Sequence, residues 1–120
     1  MERICKNITN EILEQNKDIF GVLYIQTILA GKWKIAILWF LKDKAQRYNE
    51  IKKFLKTVSQ AALTKQLREL ENDKIVNRKI YNEIPPKVEY SLTERGKQLI
   101  PILLEMKDIG VSFLDKDFKV

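Results

Sequence analysis

The residues best suited to reading another molecule's hydrogen-bonding edges sit close together: Ser59, Gln60, Ala61, Thr64, Lys65 and Arg68. An arginine can donate two hydrogen bonds to guanine O6 and N7, a glutamine can pair with adenine, and alanine or threonine methyls suit thymine. Interleaved with them are Leu63, Leu67 and Leu70, spaced by four and three residues, the signature of one buried helical face. With Leu63 as origin and about 100° per residue, Leu67 and Leu70 lie within about 40° of it, whereas Thr64, Arg68, Ala61 and Lys65 fall between about 100° and 200°. The spacing predicts a helix capped by Ser59 and running to about Asn72, leucines inward and a cationic strip outward. Its N-terminal half favours Gln60, Ala61 and Thr64 as readers, and Ser59 with the first amides suits a phosphate. A helix with one apolar and one charged face is ordinary, and Arg68 could simply pair with Glu69 or Glu71. What surrounds the helix decides the matter.

Immediately downstream the hydrophobic period changes. Residues Ile75 to Ile84 and Lys87 to Leu92 are rich in β-branched and aromatic types and read as two strands joined at Pro85-Pro86. Arg78, Lys79 and Lys87 make this hairpin a basic wing, suited to phosphates or a minor groove, while Glu83 at the tip argues against deep insertion. Charge is segregated in the same region. Between Lys32 and Lys87 there are 14 Lys and Arg against 6 Asp and Glu, so this segment carries +8 while the remaining residues carry −2. A module facing a polyanion shows such concentration.

The elements that position these groups follow from periodicity. Ile4, Ile8 and Ile12 predict a weakly anchored amphipathic helix over residues 2–15; a second helix runs from Asp18, as N-cap, to about Leu29. Ala30-Gly31 interrupts it, and a very apolar third helix, Lys32 to Leu41, belongs at the centre of the fold. A charged turn precedes a short helix with Ile51, Phe54 and Leu55 on one side, and Thr57-Val58-Ser59 is the break before the leucine-striped helix. After the hairpin, Thr93 caps one long helix to about Leu114, with a kink or a later start at Pro101. Two short helices, a tight turn and a hairpin make a winged helix-turn-helix, mainly α with a small β-hairpin wing. The expected organisation is a single domain over residues 1–120, with a DNA-binding core of about 30–92 between dimerisation helices of about 2–29 and 93–114.

Other chemistries find little support. There is no histidine, one cysteine (Cys5) and no phosphate-loop glycine pattern, so the reading is no enzyme, no metal and no cofactor. The longest unbroken apolar run, Ile35 to Leu41, is seven residues against the roughly 20 of a membrane helix. Residues 1–6 lack the apolar core of a signal peptide, so a cytoplasmic location without membrane contact is expected.

Several separated motifs resemble one family. Gly31-Lys32-Trp33-Lys34, Arg47-Tyr48-Asn49-Glu50-Ile51, Ser59-Gln60 with Leu63 to Glu71, and Tyr81 to Thr93 are similar, in order, to the HxlR-type branch of the MarR-like winged-helix regulators, over about residues 30–109. The resemblance implies a bacterial transcriptional regulator binding double-stranded promoter DNA as a homodimer on a palindromic operator, often in response to a reactive small-molecule effector. The terminal helices would form the interface, through Leu99, Leu103, Met106, Ile109, Gly110 and Phe113, a C-terminal stripe too apolar for a small monomer to hide comfortably, with Ile8 and Ile12 nearby; simple packing of the stripe onto the protomer's own core is the alternative. Many relatives carry a cysteine about a dozen residues before the Lys-Trp-Lys segment; here that neighbourhood is Phe20-Gly21-Val22, and Cys5 is read as an incidental thiol. The competing reading is a winged-helix interaction or RNA-binding module without promoter specificity.

Overall fold

The computed structural model describes residues 9–118. Two compact units divide the chain, one ending at Lys32 and the other beginning at Trp33. In the first, α1 (Asn10–Gln15) is capped by Thr9, whose side chain accepts from the Ile12 amide, and α2 spans Lys17–Leu29. Asn16, and not Asp18, occupies the cap position of α2; Asp18 falls in the first turn, where a carboxylate still complements the positive helix end. Gly31 takes φ 148°, a conformation L side chains rarely adopt.

The second unit contains α3 (Lys34–Leu41), β1 (Gln46–Arg47), α4 (Tyr48–Leu55), α5 (Gln60–Asn72), β2 (Val76–Tyr81), β3 (Lys87–Leu92), α6 (Glu94–Lys97) and α7 (Ile100–Phe118). Helix α3 is central, as its composition predicts: it contacts α4, α5, α7 and β3, and buries Ile37, Leu38 and Leu41. It starts two residues later than expected, at Lys34, and the amide of its cap residue Trp33 donates to Gln66 Oε1 of α5 (2.9 Å). Helix α4 buries Ile51 and Leu55, while Phe54, expected on the same side, is 41% exposed and stacks on Phe40 of α3.

Ser59 caps α5 as expected, accepting from the Ala62 amide at 3.1 Å. The helix ends in a Schellman arrangement: Ile75 N–H donates to Leu70 O, Lys74 N–H donates to Glu71 O, and Lys74 stands at φ 62° where glycine is usual. The wing is a three-stranded antiparallel sheet of order β1-β3-β2. Strand β1, pairing Gln46 with Tyr90 and Arg47 with Glu89, was not foreseen; two residues are too few to show a period. Strand β2 is shorter than predicted at both ends, since the Glu83 amide turns back onto Tyr81 O and takes the chain out of the ladder at Asn82.

The single long helix expected from Thr93 is two. Proline at 101 has no N–H and its ring excludes the carbonyl four residues back, so α6 tightens into i→i+3 bonds at Gln98 and Leu99 before α7 begins with Pro101 in its first turn. Thr93 does cap α6, accepting from the Gly96 amide, and its hydroxyl also reaches Lys74 O and Ile75 O (2.7 and 3.1 Å). This packs α6 so closely on the start of β2 that a Cβ at position 96 would collide with the Ile75 carbonyl oxygen. Gly96→Ala is therefore expected to cost at least about 2 kcal/mol in urea unfolding, because the obstacle is backbone and not a flexible side-chain end; an unchanged midpoint would show that the junction yields.

Candidate nucleic-acid interface

The three leucines of α5 have essentially no exposure (Leu63 0%, Leu67 1%, Leu70 0%), which fixes the helix's rotation about its axis. The opposite side presents Gln60, Ala61, Lys65 and Arg68 exposed and Thr64 half-buried. Together with Glu69 they line one open hollow of about 700 Å³. All the sequence-predicted readers are thus brought onto a single outward surface; Ser59, whose oxygen accepts from the Ala62 amide, lies exposed at its start.

Two details of this surface were not legible in the sequence. Tyr48, at the start of α4, donates from its hydroxyl to Gln60 O (3.2 Å) and shares a hydrogen bond with Thr64 Oγ1 (3.1 Å). This ties the first turn of α5 to α4 and occupies part of the Thr64 hydroxyl's capacity. The second detail concerns carboxylates. Glu69 pairs with Lys34 Nζ at 3.2 Å and Glu71 with Arg78 Nε at 3.4 Å. Both acids that might have neutralised Arg68 are thus engaged by cations from other elements, and Arg68 has no ion-pair partner among the described residues. Lys34 is only 3% exposed, and its position directly against the apolar run Ile35 to Leu41 is the one signal of that role.

The wing cations are placed as predicted on β2 and β3, but they are not all free. Arg78 reaches back to Glu71 and so links the wing to the end of α5. Lys87 pairs with Glu89 at 3.5 Å, and Lys79 and Lys87 both lie over the Tyr81 ring (4.7 and 4.4 Å), whose hydroxyl donates to Glu89. The wing's positive potential is smaller than a count of its lysines suggests. Burial pushes the Tyr90 hydroxyl above its ordinary pKa, with Arg78 opposing, so this phenol stays neutral behind the wing.

The residues expected at a subunit interface separate into two sets. Leu99 and Leu103 are 5% and 3% exposed, enclosed by the protomer's own core, and have almost no area left for a second chain. This corrects their assignment. Met106, Ile109 and Phe113 are 47%, 53% and 61% exposed along α7, with Gly110 half-buried; Ile12 on α1 is 43% exposed, and Ile8, like Cys5, lies outside the described residues. No single helix among the described residues is long and apolar enough to cross a membrane.

Known proteins share both sequence and architecture with this chain. The HxlR-like helix-turn-helix family matches residues 28–118. An HTH-type transcriptional regulator of Bacillus subtilis (strain 168), YdeP, is 48% identical over 107 residues, covering 87% of this chain and 84% of that protein. The solved structure of the redox regulator HypR in its reduced form superposes with a TM-score of 0.76 at 44% identity, over 82% of this chain and 95% of that one. The HTH-type transcriptional regulator ytcD gives a TM-score of 0.75 at 40% identity, over 78% and 96%.

The pair between Lys34 and Glu69 has unequal partners, 4% and 43% exposed in their side chains. Glu69→Ala would leave a buried ammonium unpaired and should cost about 2–4 kcal/mol, whereas Lys34→Met leaves Glu69 to water and should stay within about 1 kcal/mol. Equal losses in denaturant titrations of the two variants would show that the ammonium is not desolvated in the folded protein.

Proposed function

The chain belongs to the HxlR-like helix-turn-helix family, whose members are transcriptional regulators and not enzymes, and from that premise we propose that it binds a palindromic operator in double-stranded DNA sequence-specifically, as a homodimer. The observation that carries the reading is the α5 surface: Gln60, Ala61, Thr64, Lys65 and Arg68 outward, three leucines inward, and both neighbouring glutamates turned to other partners. An arginine with no ion-pair partner among the described residues is available there for a bidentate contact in the major groove. Lys79 on the wing suits a phosphate contact that adds affinity without sequence preference.

The homodimer rests on α7. From Leu104 to Phe118 none of its residues is buried, and Met106, Ile109 and Phe113 form an exposed stripe at three- and four-residue spacing. Pairing of that stripe about a two-fold axis would hide it and place two copies of α5 on successive major grooves roughly 34 Å apart. A small-molecule effector, implied by the family resemblance, is part of the proposal without an assigned site; HypR's description as a redox regulator belongs to that protein.

Fluorescence anisotropy on duplexes from the DNA flanking the protein's own gene tests the assignment. Arg68→Ala should weaken binding to the preferred duplex by about 1–3 kcal/mol while the dimer persists; unaltered affinity refutes the assigned face. Phe113→Glu should shift the protein to monomer in sedimentation velocity, and a dimer that survives it places the interface elsewhere.

A further inference from the structure

A second cationic surface lies outside the recognition helix and the wing. Arg47, Asn49, Glu50, Lys52, Lys53 and Lys56 together line a hollow of about 480 Å³ along α4 and the turn that follows it. Four of the six are cations and one is an acid. Glu50 reaches Lys53 at 3.8 Å, both well exposed, and so offsets little of the charge.

The rotation of α4 determines which way this ridge faces. Taking the buried Ile51 as origin, Tyr48 lies at about 60°, Lys52 at about 100° and Lys53 at about 200°, whereas Phe54 lies at about 300°. Tyr48 touches the first turn of α5 through Gln60 O and Thr64 Oγ1, and Phe54 stacks on Phe40 of α3 at 4.3 Å. The lysine-bearing flank is therefore the one continuous with the α5 reading surface, and the Phe54 flank is fastened away from it.

The turn itself adds a further observation. Lys56 has φ 64° and ψ −66°, and the Thr57 amide donates to Leu55 O at 2.7 Å across it. That is a γ-turn of positive φ, a rare and strained conformation for which glycine has no steric penalty. A lysine is held there, exposed, at the junction between the two helices.

We propose that Lys52, Lys56 and Arg47 form a phosphate-binding ridge that grips the DNA backbone beside the groove entered by α5. This rests on the DNA-binding reading above and extends its footprint. Its chemistry is charge complementarity: flexible cations with weakly engaged counter-charge, next to a surface that faces a polyanion. The ridge supplies affinity and register, and no base preference.

The test compares wild type, Lys52→Gln, Lys56→Gly and the double variant on a duplex the wild type prefers and on a scrambled duplex of equal length, across a salt series. Each single variant should lose affinity by the same factor on both duplexes and flatten the dependence of log K on log salt by about 0.9, and the double variant by nearly twice that. Lys56→Gly carries an additional signature, since relief of strain should hold its thermal midpoint at or above the wild type while binding falls. Slopes and affinities equal to wild type, with Arg68→Ala still weakening the preferred duplex, would overturn the ridge and leave the recognition surface standing. A wild-type chain that binds neither duplex would overturn both.

Discussion

The structure depends on the complete burial of one leucine stripe. Leu63, Leu67 and Leu70 sit against α3 and the start of β2, and each contributes about 1.5–3 kcal/mol by leaving water. The exposed or half-exposed ion pairs around them, Arg78 with Glu71 and Lys53 with Glu50, are each worth about 1 kcal/mol or less. Packing therefore sets the rotation of α5, and the polar contacts adjust it within that limit. Because an α-helix has a fixed twist, fixing one face also fixes the opposite one. The outward position of Gln60, Ala61, Lys65 and Arg68 follows from the inward position of the leucines.

Charge on that outward face is then shaped by partners brought from a distance. Lys34, buried at the start of α3, draws Glu69 across, and Arg78 from β2 draws Glu71. Each pairs a carboxylate that neighbours Arg68 with a cation from another element, although Glu69 still lines the same hollow. The Trp33 amide and Tyr48 hydroxyl perform a similar service with neutral bonds, to Gln66 and to Gln60 and Thr64. The first turns of α5 are thereby held from α3 on one side and α4 on the other, and preorganised donors lose less conformational entropy on meeting a partner.

These two levels differ in how far the sequence reveals them. The α5 boundaries, its cap at Ser59 and its buried stripe are readable because period and capping chemistry are local. The wing strands are readable from β-branched residues and the two prolines, although their ends are not, since the bend at Asn82 depends on one amide turning back. Strand β1 leaves no periodic trace. Pairings such as Lys34 with Glu69 span 35 positions, and nothing local distinguishes them from the equally plausible neighbours of Arg68. Pro101 signals a discontinuity, but whether the helix kinks or restarts is settled by Thr93 and Gly96 packing on Lys74 and Ile75.

Helix α7 shows why a hydrophobic stripe alone does not assign an interface. Leu99, Leu103, Met106, Gly110 and Phe113 share one spacing, yet the core of the protomer encloses the first two and no more. Beyond Leu103 the helix continues for fifteen residues with none buried. A helical segment of that length is marginal in water unless an apolar face is covered. Charged residues such as Glu105, Lys107 and Asp108 share this segment with Met106, Ile109 and Phe113, but these three still form a continuous exposed apolar stripe along it. The proposed second subunit resolves this tension: the residues the first core cannot reach are the ones a symmetric copy would bury, and the same contact would set the distance between two reading helices.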